Sequence, residues 1–306
     1  MAVETVQQIE RRAVILPKEL PVRVDTPLAR SIRRFSRHKL AVAGLAVVVI
    51  EIFMAIFAPI IAPHDPFKVD LSKALQPPSA EHWLGTDGVG RDVWARVVYA
   101  TRVSLSVGIV AVGISLAITL VLGTISGYYG GAVDMFIMRM TDVVMCIPGL
   151  LLIMTVVSVV GPSIYNVMIA IGILGWPGTT RLLRGQILSV RERDFVMAAR
   201  CVGVSNRRIM ARYILPNSFA PLLVSATLGV AGAILTEAGL SFLGLGVLPP
   251  QPSWGNMLNQ ARSLSTLMRN PWLWVPPGVA ILITVLAINF VGDGLRDALD
   301  PRHLYT

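Results

Sequence analysis

The chain is 306 residues long, 54% hydrophobic and only 15% charged, with a mean hydropathy of +0.66. That balance is too apolar for an ordinary soluble domain and marks a polytopic membrane protein. The net charge of +9 does not point to nucleic acid, because the arginines cluster in segments beside apolar runs, as positive-inside topology predicts. Cys146, in an apolar run, and Cys201, in an arginine-rich one, offer neither a disulfide nor a metal ligand cluster. The histidines, His38, His64, His82 and His303, are scattered too widely to supply one.

Residues 1–39 form a polar, proline-broken tail ending in Arg30, Arg33, Arg34, Arg37, His38 and Lys39, a basic cluster that is retained on the cytoplasmic side. The first apolar run begins only at Leu40 and is too long for a signal-peptide core, so it stays as an anchor. Leu40 to Ala62 supplies the ~20 apolar residues a span requires. Glu51 in its middle is costly there, so it faces protein or water or is protonated, marking either a pathway-facing side or a structural hydrogen bond to a neighbouring helix. Residues 63–99 are polar and punctuated by Pro63, Pro66, Pro77 and Pro78, outside if the tail is inside. Within them Asp87, Arg91 and Asp92 stand on a glycine-rich turn. They form either a catalytic or metal site or a structural ion-pair and turn cluster, and two aspartates around an arginine favour the second.

Val103 to Ser126 is the next span, with Gly108 and Gly113 permitting close helix contact. Tyr128-Tyr129-Gly130-Gly131 makes a short inner turn. Met135 to Val160 follows, with Arg139 and Asp142 reaching the inner interface and Pro148 expected to kink the helix, for gating or for packing. After Gly161-Pro162, the run Tyr165 to Trp176 is short unless it continues past Pro177. Between Arg181 and Arg212 lie eight arginines against Glu192 and Asp194 alone, which places residues 181–212 in the cytoplasm. Inside this loop Phe195 to Val202 has good helix formers and Gly203 suits a helix end. Ser205 or Asn206 caps a second helix, with Arg207 and Arg208 towards water, Ile209, Ile214 and Leu215 in the apolar phase, and Pro216 ending or bending it. Asn217 to Leu240 is the fifth span, with Glu237 near its outer end as a pathway or packing residue. Gly244 to Pro271 lies outside, Trp272 and Trp274 suggest an interfacial anchor, and Gly278 to Val291 completes six spans. The reading is an all-α membrane domain over 40–292, with tails 1–39 and 293–306 both cytoplasmic. There is no GxxxxGK[ST] phosphate loop, so neither ATP hydrolysis nor a bound cofactor is expected of this chain.

Ala198-Ala199, Gly203, then Ile214-Leu215-Pro216 resembles the EAA signature of permease subunits in bacterial ATP-binding-cassette importers. Gly85-Thr86-Asp87, then Gly90-Arg91-Asp92-Val93, resembles the GTDxxGRDV block of the C-type permeases of dipeptide and oligopeptide importers. The run from Glu237 to Gly246 and the ending Asp300-Pro301-Arg302 fit the same family. The resemblance implies a type I importer fold with a cytoplasmic coupling helix that docks on an ATPase. Its residues would be Asp194, Phe195, Met197, Ala198, Ala199, Arg200 and Gly203, with the two alanines exposing a low-profile surface. It also implies a second homologous permease, two ATPase subunits, an extracytoplasmic binding protein, the lipid bilayer and no nucleic acid. Peptides are the commonest cargo of such permeases, with nickel chelates, glutathione and haem as alternatives. The family's acid before the two alanines is Met197 here, so its contact is missing, weaker, or supplied by Glu192 or Asp194. An ion-coupled secondary transporter would instead show several mid-span charges and broken half-helices, and a membrane hydrolase would show paired acids or a nucleophile within the spans. Vanadate sensitivity of transport separates the first reading from these two.

Overall fold

The computed structural model describes residues 27–299. Within them the regular elements are helices, with one isolated bridge between Thr86 and Asp92. The longest, α4 (we number helices in chain order), runs Val93–Tyr129. Asp92 starts it by accepting the Ala95 N–H at 2.7 Å, and Gly130, at φ 68°, ends it. At ~1.5 Å per residue it exceeds the ~30 Å apolar thickness of a bilayer. The expected polar segment 63–99 is therefore shortened: the strong cap at Asp92 makes Val93 to Tyr99 the first turns of the helix.

Before α4 come α1 (Pro27–Arg37), α2 (Lys39–Ile56) and the single turn α3 (Ala58–Ile61). After it come α5 (Gly131–Cys146) and α6 (Gly149–Val160), bent by 84° at their junction. The bend exceeds the expected kink because a proline disfavours the helical region for its predecessor, and Ile147 is extended at φ −98°, ψ 132°. Next, α7 (Ile164–Leu174) continues past Gly175 as α8 (Trp176–Arg191). The short helix α9 (Asp194–Cys201) leads to α10 (Asn206–Phe242). Pro216 does not end α10. A π turn over Met210–Ile214, closed by the Leu215 N–H on the Met210 carbonyl, accommodates the proline's missing donor. The small helices α11 (Trp254–Asn259) and α12 (Leu264–Arg269) precede α13 (Val275–Leu299).

Four helices, α2, α4, α10 and α13, are long and apolar enough to cross a membrane, and α5 with α6 makes a fifth if that bent pair is one span. Packing centres on α4, which touches α2, α7, α8 and α10, while α13 packs on α2 and α10. Gly108 supports the expected close contact, since a Cβ there would lie 2.9 Å from Val230 of α10. Gly113 does not: it is exposed, with nothing near its Cβ position. Large apolar side chains such as Ile50, Phe53, Ile60 and Val159 are exposed, as surfaces meant for lipid or for other membrane helices are. Ala55 of α2 meets Arg102 near the Val93 end of α4, and Gly294 of α13 meets Ala41 of α2. Lys39, Leu299 and α9 thus lie together at the Tyr129 end of the bundle.

Candidate functional site

At the Tyr129 end, α9 projects between α8 and α10. Its apolar residues repeat at helical spacing, so Val196 and Ala199 turn inward onto Leu183 and Ile187 of α8 and Ile209 and Ile214 of α10. Only 7% of Ala199 is exposed, which corrects the expectation that both alanines face a partner. Ala198 is exposed, together with Asp194, Phe195, Met197, Arg200 and Cys201, and Val202 is 83% exposed. Gly203 closes the helix at φ 79° with open space around it, as a left-handed helix end requires. Glu192 is engaged by Arg191 at 2.9 Å, while Asp194 stands exposed in the first turn of α9.

Neighbouring polar contacts anchor this projection. Arg184 of α8 grips Asp134 of α5 with two donors, Arg181 pairs with Asp142, and Arg191 donates to the carbonyls of Gly127 (3.2 Å) and Tyr128 (3.1 Å). The Tyr128 hydroxyl donates to Asn206 at 2.7 Å, and the Arg200 guanidinium lies over the Tyr128 ring at 5.5 Å. None of these pairings was visible in the sequence. The arginine count between 181 and 212 showed only that the segment was basic, and four of those arginines, Arg181, Arg184, Arg191 and Arg200, join neighbouring helices.

At the Val93 end, residues 63–92 fold back on themselves. Leu75 N–H bonds the Asp87 carbonyl at 3.0 Å, and Thr86 N–H bonds that of Gln76 at 3.0 Å. Asp87 accepts the Val89 and Arg91 N–H groups through Oδ1 and Arg91 Nε at 2.7 Å through Oδ2. Asp87 and Arg91 thus form the expected ion-pair and turn cluster, while the Asp92 side chain leaves it to cap α4 and to meet His82. Gly85 (φ 72°) and Gly90 (φ 80°) supply its left-handed corners, and the Thr86 hydroxyl donates to the Lys73 carbonyl. Trp272, one of the two expected interfacial anchors, donates to the Thr86 carbonyl at 3.2 Å. The Ser72 hydroxyl holds the Asp70 carboxyl below its usual range, and Lys73 does so for Glu81. These contributions are present above the ordinary carboxylate range and are lost as pH falls through the lowered values. The histidines are not all scattered. The rings of His64 and His82 lie 4.8 Å apart, beside Asp92, a proximity invisible from their spacing.

Two family models match the chain: that of the binding-protein-dependent transport system inner membrane component over residues 119–305, and that of the N-terminal TM domain of oligopeptide transport permease C over residues 26–78. The chain belongs to the binding-protein-dependent inner membrane components. A putative peptide permease protein of Brucella suis is 46% identical over 276 residues, 90% of this chain and 91% of its own. The dipeptide transport system permease protein DppC of Alkalihalophilus pseudofirmus is 44% identical over 286 residues, 94% and 93% of the two chains. The oligopeptide transport system permease protein OppC of Bacillus subtilis is 40% identical over 269 residues, 88% of each.

In this inner membrane component Glu51 and Glu237 both face the chain's own helices. Glu51 of α2 is buried and accepts the Thr284 hydroxyl of α13 at 2.6 Å, the interhelical bond that was one of its two expected roles. Glu237 of α10 is fully buried and accepts hydroxyls from Ser241 at 2.6 Å and Ser104 at 3.3 Å. The component also carries an open cavity of about 330 Å³ between α4, α6, α7 and α10. Ser115, Gly149, Thr179, Ser225, Gly229 and Thr236 are among the residues lining it. Its walls are small, apolar or hydroxylated, with no charge.

Proposed function

We propose that the chain is one permease half of an ATP-driven importer that takes peptides from an extracytoplasmic binding protein and passes them between itself and a second, homologous permease. The cargo reading rests on the peptide permeases to which the chain is similar over nearly its whole length. The uncharged cavity suits it, because a path shared by many peptides has to tolerate varied side chains. Two separate ATPase subunits hydrolyse the nucleotide, and this chain does not. The α7–α8 pair is the sixth span, and the Tyr129 end, with Lys39, α9 and Leu299, is cytoplasmic.

The observation that carries the mechanism is the uncovered face of α9. Phe195, Met197, Ala198 and Val202 are apolar and exposed on a helix that the chain's own core holds from behind, so a rigid projection meets a partner groove. Nucleotide-driven movement of that partner then biases the two states of the path, as coupling requires. Val202→Asp is expected to weaken recovery of the ATPase subunits with the purified chain about tenfold or more, equivalent to ~1.4 kcal/mol. The melting temperature of the chain should not move, because Val202 touches little of it. Ala199→Trp is expected to lower that melting temperature by overpacking the inward face, so its loss of transport would say nothing about docking. Full ATPase recovery with Val202→Asp would remove α9 as the coupling surface. Vanadate-sensitive uptake of labelled di- and oligopeptides by cells that depend on this chain tests the cargo, and uptake of nickel chelate, glutathione or haem alone would replace it.

Orientation has its own test. With Cys146 and Cys201 replaced by serine, Asn206→Cys is expected to resist a membrane-impermeant maleimide in intact cells, while Gly88→Cys reacts. The opposite pattern would invert the topology.

A further inference from the structure

Residues 63–92 leave and rejoin the bundle at neighbouring points, and three side chains from the two ends of this segment converge there. His82 Nδ1 lies 2.8 Å from Asp92 Oδ2, and His64 Nδ1 lies 3.8 Å from the same oxygen. Among the described residues, this is the group of three His, Cys, Asp or Glu side chains whose donor atoms all fall within 4.8 Å of one another. The site is built into the fold: His82 is 5% exposed and Asp92 3%.

Hydrogen bonding accounts for only part of it. Asp92 Oδ1 caps α4, and Oδ2 meets His82 Nδ1. His64 Nδ1 and His82 Nε2 are both buried without a hydrogen-bond partner. Two unmatched imidazole nitrogens beside one buried carboxylate make a costly arrangement for a site with no further occupant. The charged groups at its mouth, among them Lys68, Lys73, Asp70 and Glu81, include both signs, so no strong positive field repels a cation.

We propose that His64, His82 and Asp92 bind a borderline divalent transition metal, of which Zn²⁺ is the type, and that the ion locks the 63–92 segment onto the first turn of α4. Two imidazoles and one carboxylate match that class, with one position left for water. Calcium and magnesium require oxygen cages and are poorly served. Binding through His82 Nδ1 uses the tautomer that carries the ring proton on Nε2. The nearest carboxylate to Nε2 is Glu81, whose Oε1 is 3.9 Å away and paired with Lys73, so it becomes the outer partner of a metal-bound histidine only as the site tightens. Zinc–nitrogen bonds of ~2.0–2.1 Å require the donors to draw closer. His64, the most exposed of the three, has the room to do so. The inference is independent of the cargo and of the ATPase contact.

The test is Zn²⁺ titration of the full-length chain purified in detergent, in competition with a chromogenic chelator, together with the Co²⁺ absorption spectrum. Wild type is expected to bind one Zn²⁺ per chain. His64→Ala, which removes one of the three direct ligands, should weaken binding by more than the ~10- to 100-fold that loss of an outer-shell partner costs. His64→Cys should restore binding and add a thiolate-to-cobalt charge-transfer band. No stoichiometric binding by wild type, equal binding by His64→Ala, or a His64→Cys chain that neither binds nor shows the band would overturn the proposal.

Discussion

Gly90→Val is expected to be among the most damaging single substitutions in the chain, lowering its stability by roughly 3–5 kcal/mol. Gly90 sits at φ 80°, and a Cβ built there would lie 1.7 Å from the Asp70 carbonyl oxygen and 2.5 Å from its carbon. The left-handed conformation alone costs an L-residue ~1–2 kcal/mol. The clash is the larger effect, because the atoms met are backbone and no side chain can rotate aside. Relief means separating the two strands of the segment, which breaks the Asp70 N–H bond to the Val89 carbonyl and disturbs the Asp87–Arg91 pair beside it. Each hydrogen bond lost adds ~0.5–1.5 kcal/mol. Gly88→Ala is the control: it has open space and no positive φ, so its effect should stay within ~0.5 kcal/mol. Thermal melting of the purified chain, with proteolysis of the 63–92 segment as the local readout, separates the two. Equal melting of both variants would show that the segment adds nothing to the stability of the bundle.

Glu237→Ala is expected to cost about 2–4 kcal/mol, mainly through the cavity it leaves. The Glu237 carboxyl joins three parts of the fold: Ser104 on α4, Ser241 one turn along α10, and the following turn, because the Ser241 hydroxyl also accepts the Val247 N–H at 3.0 Å. Loss of the hydroxyl bonds is the smaller effect, since serine can turn to its own helix carbonyls and interhelical bonds in membranes average ~0.6 kcal/mol. The emptied volume has no such remedy in a fully buried position. Glu237→Gln keeps the volume and an acceptor and should lose less than ~1 kcal/mol. A glutamine variant as unstable as the alanine one would shift the explanation from packing to charge. One that melts normally but no longer transports would assign Glu237 to the path.

Local chemistry in the sequence determined the helical membrane character, the turn at Tyr128 to Gly131, the break at Pro148 and the end of α9 at Gly203. Each rests on apolar length, proline sterics or glycine freedom, which act between near neighbours along the chain. The Asp87–Arg91 pair was legible for the same reason, since the two lie four residues apart. Only the tertiary structure decided which faces are inside. In lipid both the core and the outer surface of a helix are apolar, so hydrophobicity did not distinguish Gly108, packed on α10, from exposed Gly113. Ala199 turned inward because Val196 and Ala199 share one face of α9, a spacing present in the sequence but meaningful only once α8 and α10 stand behind it. His64, His82 and Asp92 met because the fold of the 63–92 segment closed a loop that sequence distance left open. Long-range contacts such as these follow from which helices pack together, and that is settled by the fit of whole surfaces rather than by any short stretch of residues.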